Sequence, residues 1–291
     1  MLNLNQIKLW DFWIDRGGTF TDIVARDPNG ELFTDKLLSE NEQLYKDAGL
    51  AGIKRFLKVP HDEKIPVDNI NSIKMGTTVA TNALLERKGF PVVLLTTKGL
   101  RDQLRIAYQN RPNLFDRQII LNDPLYDHIV EVEERVTSSG KILQPINKEK
   151  LYEDLRKIKN VEEKSCAIVF MHSCKFNKHE KEAEEVAKAI GFSHISLSYR
   201  TSQIMKYVMR GDTTVADAYL SPVLNKYIEN LYSEFNGDIS GKISFMQSNG
   251  GLTGASLFSG KDSILSGPAG GVIGGIKTSA LDKEHKIIGF D

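Results

Sequence analysis

Apolar, β-prone residues fill positions 11–15 (Asp-Phe-Trp-Ile-Asp) and 20–26, and Gly17-Gly18 lies between the two runs. Two such runs joined by a glycine pair predict a β-hairpin. A third strand is predicted over 31–38. Residues 43–58 place Leu44, Ala48, Ala51, Ile53 and Leu57 on a rough apolar stripe, which predicts a helix. Ile73-Lys74-Met75 leads to a glycine, and a helical run follows from Thr78 to Lys88. Val92–Thr97, Ala167–Met171, Ile195–Ser198, Ile243–Gln247 and Ile287–Phe290 read as further strands, and 147–159, 178–190 and 213–235 as helices. Such alternation predicts an α/β chain with mixed sheets. Residues 108–128, rich in Asn, Asp, Pro and Arg, read as an irregular excursion, and a lobe change is expected near 199–212.

Composition narrows the function. Lys+Arg and Asp+Glu are balanced at 38 each, which gives no electrostatic reason to expect nucleic acid or an anionic membrane as a partner. No run approaches the roughly 18 apolar residues of a membrane span. The start, Met-Leu-Asn-Leu-Asn-Gln-Ile-Lys, has no apolar signal core before a small-residue cleavage site. The expectation is therefore a cytoplasmic protein. Cys166 and Cys174 are not spaced as CxxC, and no second pair completes a zinc site. His172, at the end of the 167–171 strand, reads first as a structural histidine.

Four segments carry the chemistry. In Asp15-Arg16-Gly17-Gly18-Thr19-Phe20-Thr21-Asp22, a strand ends on a carboxylate and two glycines let backbone approach a ligand. Backbone N–H groups at such a turn can form an anion nest. Thr19 and Thr21 add hydroxyls, and Asp15 and Asp22 are candidate ligands for Mg²⁺ or its waters. A plain Gly-Gly hairpin is the bland alternative. Neither a Walker A loop nor a GxGxxG fingerprint after the first strand is present: Gly254 to Gly260-Lys261-Asp262 has the wrong spacing and ends on Asp.

In the second segment, Met75–Gly89, Thr77 or Thr78 can cap a helix ending near Gly89. Thr78, Asn82 and Glu86 would share one face, suited to a phosphate or carboxylate at the helix start or simply to solvent. The third, Ser244–Thr253, runs a buried strand into a polar Gly-Gly turn, where strand ends of α/β sheets tend to hold ligands. The fourth, Leu265–Gly275, carries Gly267-Pro268-Ala269-Gly270-Gly271 and two further glycines. Each glycine costs about 1 kcal/mol relative to Ala in a helix interior. Either close helix packing or close approach to a nucleotide would explain them.

These segments, in this order, resemble the 5-oxoprolinase branch of the hydantoinase/oxoprolinase family. Asp15–Asp22, Met75–Gly89 and Leu265–Val272 carry most of the match. Lys36-Leu37-Leu38-Ser39-Glu40, Leu114-Phe115-Asp116, and Arg210-Gly211-Asp212 followed by Ala218-Tyr219-Leu220 support it. Arg16 leans toward oxoprolinases, because the hydantoinase and ketone-carboxylase branches more often resemble Asp-Val/Ile-Gly-Gly there. The resemblance implies α/β lobes like those of sugar kinases, actin and the large heat-shock chaperones, with ATP and Mg²⁺ between them. It implies an N-terminal domain over 1–200 and the start of a second over 201–291, cut short at Asp291.

The resemblance further implies that ATP phosphorylates the ring amide oxygen of 5-oxo-L-proline and that water then opens the ring to L-glutamate, with ADP and phosphate, in glutathione metabolism. Asp15 and Asp22 would hold Mg²⁺. Gly17, Gly18, Thr19 and Thr21 would hold phosphate. Thr77, Thr78 and Asn82 would orient phosphate or substrate, and Gly267, Pro268, Ala269, Gly270 and Gly271 would line the cleft from the second lobe. Asp291 would open a second phosphate hairpin whose remainder comes from a longer chain or a partner subunit. Hydantoin hydrolysis, ketone carboxylation, and an inactive partner-binding lobe remain alternatives, and homo-oligomers stay open.

Overall fold

The computed structural model describes residues 9–41, 43–111, 113–281, 286 and 288. In chain order the strands are β1 (Trp10–Arg16), β2 (Phe20–Arg26), β3 (Leu32–Leu38), β4 (Ile70–Thr77), β5 (Val92–Thr97), β6 (His128–Val132), β7 (Arg135–Val136), β8 (Ile142–Gln144), β9 (Ser165–Val169), β10 (His194–Leu197), β11 (Ile243–Met246) and β12 (Leu252–Gly254). The α-helices are α1 (Ala48–Leu57), α2 (Val79–Leu85), α3 (Gln103–Ile106), α4 (Lys148–Leu155), α5 (Lys178–Ile190), α6 (Ser198–Thr201), α7 (Tyr207–Ser233), α8 (Gly260–Ser263) and α9 (Ser266–Leu281). No helix among the described residues is long and apolar enough to cross a membrane.

The chain folds as a mixed α/β protein of two compact units that do not follow sequence order. One unit is Met1–Arg87 with Leu224–Asp291, and the other is Lys88–Val223. The chain passes from the first unit to the second after Arg87 and returns within α7, one residue after Pro222.

The first unit is built on a six-stranded sheet in the order β12-β11-β4-β1-β2-β3. β1, β2 and β3 form an antiparallel meander, whereas β4 lies parallel to both β1 and β11. Phe12, Ile14, Ile23, Ile73, Met75 and Phe245 bury one face of this sheet against α1 and the part of α7 that begins at Leu224. α1 is shorter than the predicted 43–58. Asp47 caps it, accepting from the Leu50 N–H at 3.0 Å, and Lys58 closes it with φ 54. A carboxylate at the N-cap and the bases Lys54 and Arg55 in the last turn both suit the helix dipole.

The second unit holds a four-stranded parallel sheet, β10-β9-β5-β6. Every residue of β5 and β9 is buried, which is why both read as continuous apolar runs rather than alternating ones. Leu151 and Leu155 of α4 and Ala183, Val186 and Ala187 of α5 complete that core. β6 escaped the sequence reading: it is a half-buried edge strand whose pattern His-Ile-Val-Glu-Val is broken by polar residues.

A buried polar network crosses this core. The fully buried Arg210 donates to the carbonyls of Phe170 at 2.8 Å, Ile204 at 3.0 Å and Met205 at 3.2 Å, and its Nε to the Ser198 hydroxyl at 3.0 Å. Ser198 in turn donates to the fully buried Glu180 at 2.6 Å. Burial pushes the Glu180 carboxyl above its ordinary range, against the pull of that hydrogen bond.

Candidate functional site

The residues singled out in the sequence, Asp15 to Asp22, Thr77 to Asn82 and Gly267 to Gly271, all belong to the first unit. In the β1–β2 hairpin, Asp15 faces Asp22 and Arg16 faces Thr21. Cross-strand partners share a face of the sheet. The two exposed carboxylates therefore stand side by side on one face, and Arg16 and Thr21 lie on the other. Asp22 is also ion-paired with Lys36, whose Nζ lies 2.8 and 3.0 Å from its two oxygens.

The turn itself is tightly held. The Gly17 N–H donates to the Phe20 carbonyl at 3.0 Å, and the Ser39 hydroxyl donates to the Gly17 carbonyl at 2.7 Å. The Ser39 N–H reaches the Thr19 carbonyl at 2.8 Å. A Cβ on Gly17 would sit 2.8 Å from the Phe20 carbonyl oxygen, so this turn admits no side chain there. A Cβ on Gly18 would meet Asn82 Nδ2 at 3.5 Å, an ordinary contact. Packing within the chain thus explains Gly17 but not Gly18, which leaves backbone open to a ligand.

β4 brings the second segment alongside. Asp15 lies opposite Gly76, and Arg16 opposite Thr77. Both the N–H and the hydroxyl of Thr78 donate to the Arg16 carbonyl at 3.1 Å, and Asn82 Nδ2 approaches Thr78 Oγ1 at 3.5 Å. α2 is shorter than predicted. It ends at Leu85 because Arg87 takes φ 56, and Thr78 occupies its N-cap without a side-chain capping bond.

Thr21 and Thr77 are fully buried, which corrects the expectation that their hydroxyls are presented to phosphate. Thr21 Oγ1 is 3.0 Å from the Ser39 hydroxyl, and Thr77 Oγ1 accepts from the Val79 N–H at 3.3 Å. Their place opposite Arg16, on the core side of the sheet, is the reason. Thr19 remains exposed.

The third and fourth segments adjoin β4. The β11–β12 turn is closed by the Gln247 N–H to the Gly251 carbonyl at 2.8 Å. The Ser266 hydroxyl, at the start of α9, donates to the Thr77 carbonyl at 2.8 Å, and the Thr81 hydroxyl to the Ile264 carbonyl at 2.6 Å. The glycine-rich run is helical. Yet a Cβ on Gly271 or Gly274 would meet nothing within 4 Å, and one on Gly267 or Gly270 only a side-chain atom at 3.9 Å. Helix packing inside the chain does not account for these glycines. Pro268 stands in the first turn, where its missing N–H costs no helix bond, beside Ala269.

Sequence reasoning missed the bracing role of Ser39 and Ser266, which come from distant chain segments. Asp291, and the strand predicted over 287–290 apart from Ile288, lie outside the described residues. His172 belongs to the second unit, with φ 63 in the turn three residues after β9.

No group of three or more His, Cys, Asp or Glu side chains able to hold a metal ion occurs among the described residues. Among the described residues, Asp15 and Asp22 are not part of an all-protein cation cage. Mg²⁺ bound through one or two carboxylates while carried on phosphate needs no such cage. The paired carboxylates beside an open glycine turn fit that second mode.

Known proteins bear on the same segments. The hydantoinase/oxoprolinase N-terminal region matches residues 11–191, and the hydantoinase/oxoprolinase region matches residues 210–291. 5-Oxoprolinase 1 of Arabidopsis thaliana is 42% identical over 96% of this chain and 24% of its own length. 5-Oxoprolinase of Saccharomyces cerevisiae is likewise 42% identical over 96% of this chain and 24% of its own. This chain therefore spans about a quarter of the length of these relatives. The crystal structure of the ATP-dependent caprolactamase from Pseudomonas jessenii superposes with a TM-score of 0.74 at 26% identity, covering 94% of this chain and 40% of that one. With one region matched over more than half of its residues and a second over most of the rest, the chain belongs to the hydantoinase/oxoprolinase family.

Proposed function

We propose that this chain supplies the phosphate-binding hairpin of an ATP-dependent enzyme that opens a cyclic amide, with 5-oxo-L-proline as substrate and L-glutamate, ADP and phosphate as products. The observation that carries the reading is the hairpin itself: two carboxylates share one face beside a glycine whose missing side chain the chain's own packing does not require. The 42% identity to 5-oxoprolinases points to the substrate.

Bound at this hairpin, ATP would supply a phosphoryl group to the amide oxygen, making the carbonyl carbon electrophilic and giving water a leaving group to displace as the C–N bond opens. The protein's part in such a transfer is positioning and charge neutralisation. Gly17, Gly18 and Thr19 would offer backbone N–H groups and the Thr19 hydroxyl to phosphate. Asp15 and Asp22 would hold Mg²⁺ or its waters, with Lys36 setting the charge at Asp22. Thr78 and Asn82 tie the turn to α2. Thr21 and Thr77, with Ser39 and Ser266, hold the frame. Gly267 to Gly271 would let a nucleotide or the rest of the site approach α9 closely.

The remainder of the site would come from a longer chain or a partner subunit. The two free thiols, Cys166 and Cys174, suit a reducing, cytoplasmic setting. The likeness to the caprolactamase supports a second reading, in which a larger lactam is the substrate.

Calorimetry of the whole chain with ATP·Mg²⁺ tests the proposal. Micromolar binding is expected once the remainder of the site is present, and Asp15→Asn should weaken it at least tenfold while the protein stays folded. Equal affinity of the two proteins would remove Asp15 from the site.

A further inference from the structure

Residues 98–127 join β5 to β6, two neighbouring strands of the second unit's sheet, and the single turn α3 is the one regular element described within them. An irregular connection of that length is uncommon in a compact domain unless it carries function. Its base is fixed. Leu104 of α3 packs on α7, where a Cβ on Gly211 would lie 2.6 Å from Leu104 Cδ2. The Arg105 guanidinium donates to the Asn122 carbonyl and, at 3.5 Å, to that of Leu121. Residues 106–121 thus form a loop whose two ends are pinned together. Within it, Asn113 Nδ2 donates to the Asp116 carboxylate at 2.9 Å.

A compact loop of this kind ordinarily packs its own side chains inward. This one turns its largest apolar residues to the outside. Phe115 is 91% exposed, Ile120 80% and Leu114 72%, and Ile106, Tyr108 and Ile119 are exposed as well. Single exposed apolar residues are ordinary, but a cluster of them on one pinned loop marks a surface made to be covered. Together they present several hundred Å², on the order of the roughly 800 Å² that each partner contributes to a standard protein interface.

Charge selects the partner. Over 101–127 the four basic residues Arg101, Arg105, Arg111 and Arg117 balance the four acidic residues Asp102, Asp116, Asp123 and Asp127. That neutrality removes the basic excess that draws an apolar surface to anionic lipid. The signs are nevertheless segregated: three of the four arginines precede Leu114, and three of the four aspartates follow it. A partner of one sign would be repelled by one half of the strip. A second copy, related by a two-fold axis through the loop, sets each basic half against the other copy's acidic half.

We infer that the 106–121 loop is a self-association surface through which two copies of this chain form a two-fold dimer. Phe115 and Ile120 occupy its apolar centre, and the exposed Arg111 of each copy faces the exposed Asp123 of the other.

Sedimentation equilibrium of the whole chain tests this. A dimer with a micromolar dissociation constant is expected. Phe115→Asp should leave a monomer with the parent's circular dichroism, because a side chain so exposed takes no part in the core; Ile120→Asp should do the same. Arg111→Asp and Asp123→Lys should each weaken the dimer at least fivefold, and the two changes combined in one chain should restore it to within about twofold of the parent. A parent chain that stays monomeric would overturn the inference and assign the loop to a different protein. Assembly beyond the dimer, a dimer that survives both aspartate substitutions in the apolar centre, or a charge swap that recovers nothing would each overturn it too.

Discussion

Replacing Gly18 by Ala separates a ligand's demand on the hairpin from the fold's own. The new Cβ meets Asn82 Nδ2 at 3.5 Å, and Gly18 is not among the residues with positive φ, so the chain accommodates it without strain. Loss of unfolded-state freedom should then stabilise the protein by about 0.4–1 kcal/mol. If the Gly18 backbone is used by phosphate, the methyl group displaces at least one charge-assisted hydrogen bond. Such a bond contributes about 1.5–3 kcal/mol, or a roughly 10- to 150-fold loss of nucleotide affinity. Gly17→Ala is the control: its Cβ would lie 2.8 Å from a backbone oxygen, and overpacking of this kind costs about 1–3 kcal/mol. Calorimetry with ATP·Mg²⁺ and thermal melting on both variants read the two effects. A Gly18→Ala protein that melts at or above the parent temperature and still binds nucleotide with parental affinity would refute the reasoning.

Three further outcomes follow from the second unit. Gly89→Ala places a Cβ 2.0 Å from Cε1 of the Tyr219 ring, and denaturant unfolding should show a loss of about 1–3 kcal/mol, recovered in part by Tyr219→Leu. Arg210→Met leaves buried carbonyls and Glu180 without their donor network, and should cost about 3–5 kcal/mol by the same measurement; a change below about 1 kcal/mol would contradict the buried arrangement. In a thiol titration of the native chain, Cys174 should react and Cys166 only after denaturation, because Cys166 is fully buried and burial holds its thiol protonated.

Much of this protein is local in origin, and so was readable along the chain. β1, β2 and β5 follow from runs of apolar, β-prone residues, and the Gly-Gly pair marks the turn between β1 and β2. Asp15 and Asp22 share a face because strand alternation and a hairpin register require it. The family, too, is written in Asp15–Asp22, Met75–Gly89 and Leu265–Val272.

Other features depend on which distant segments meet, and no local pattern encodes that. Thr21 looks like a phosphate ligand in sequence, but Ser39 and the core side of the sheet claim its hydroxyl. The glycines of α9 look expensive from propensity alone, and only the empty space around Gly271 and Gly274 separates internal packing from outside approach. Residues 108–128 look like a polar excursion in sequence, and only the folded chain shows Phe115 and Ile120 standing outward on it. The sequence determined the strands, the glycine turn and the chemistry offered at it. Tertiary contact decided which hydroxyls, carboxylates and apolar side chains remain available, because burial and long-range hydrogen bonding are properties of the neighbours a side chain acquires on folding.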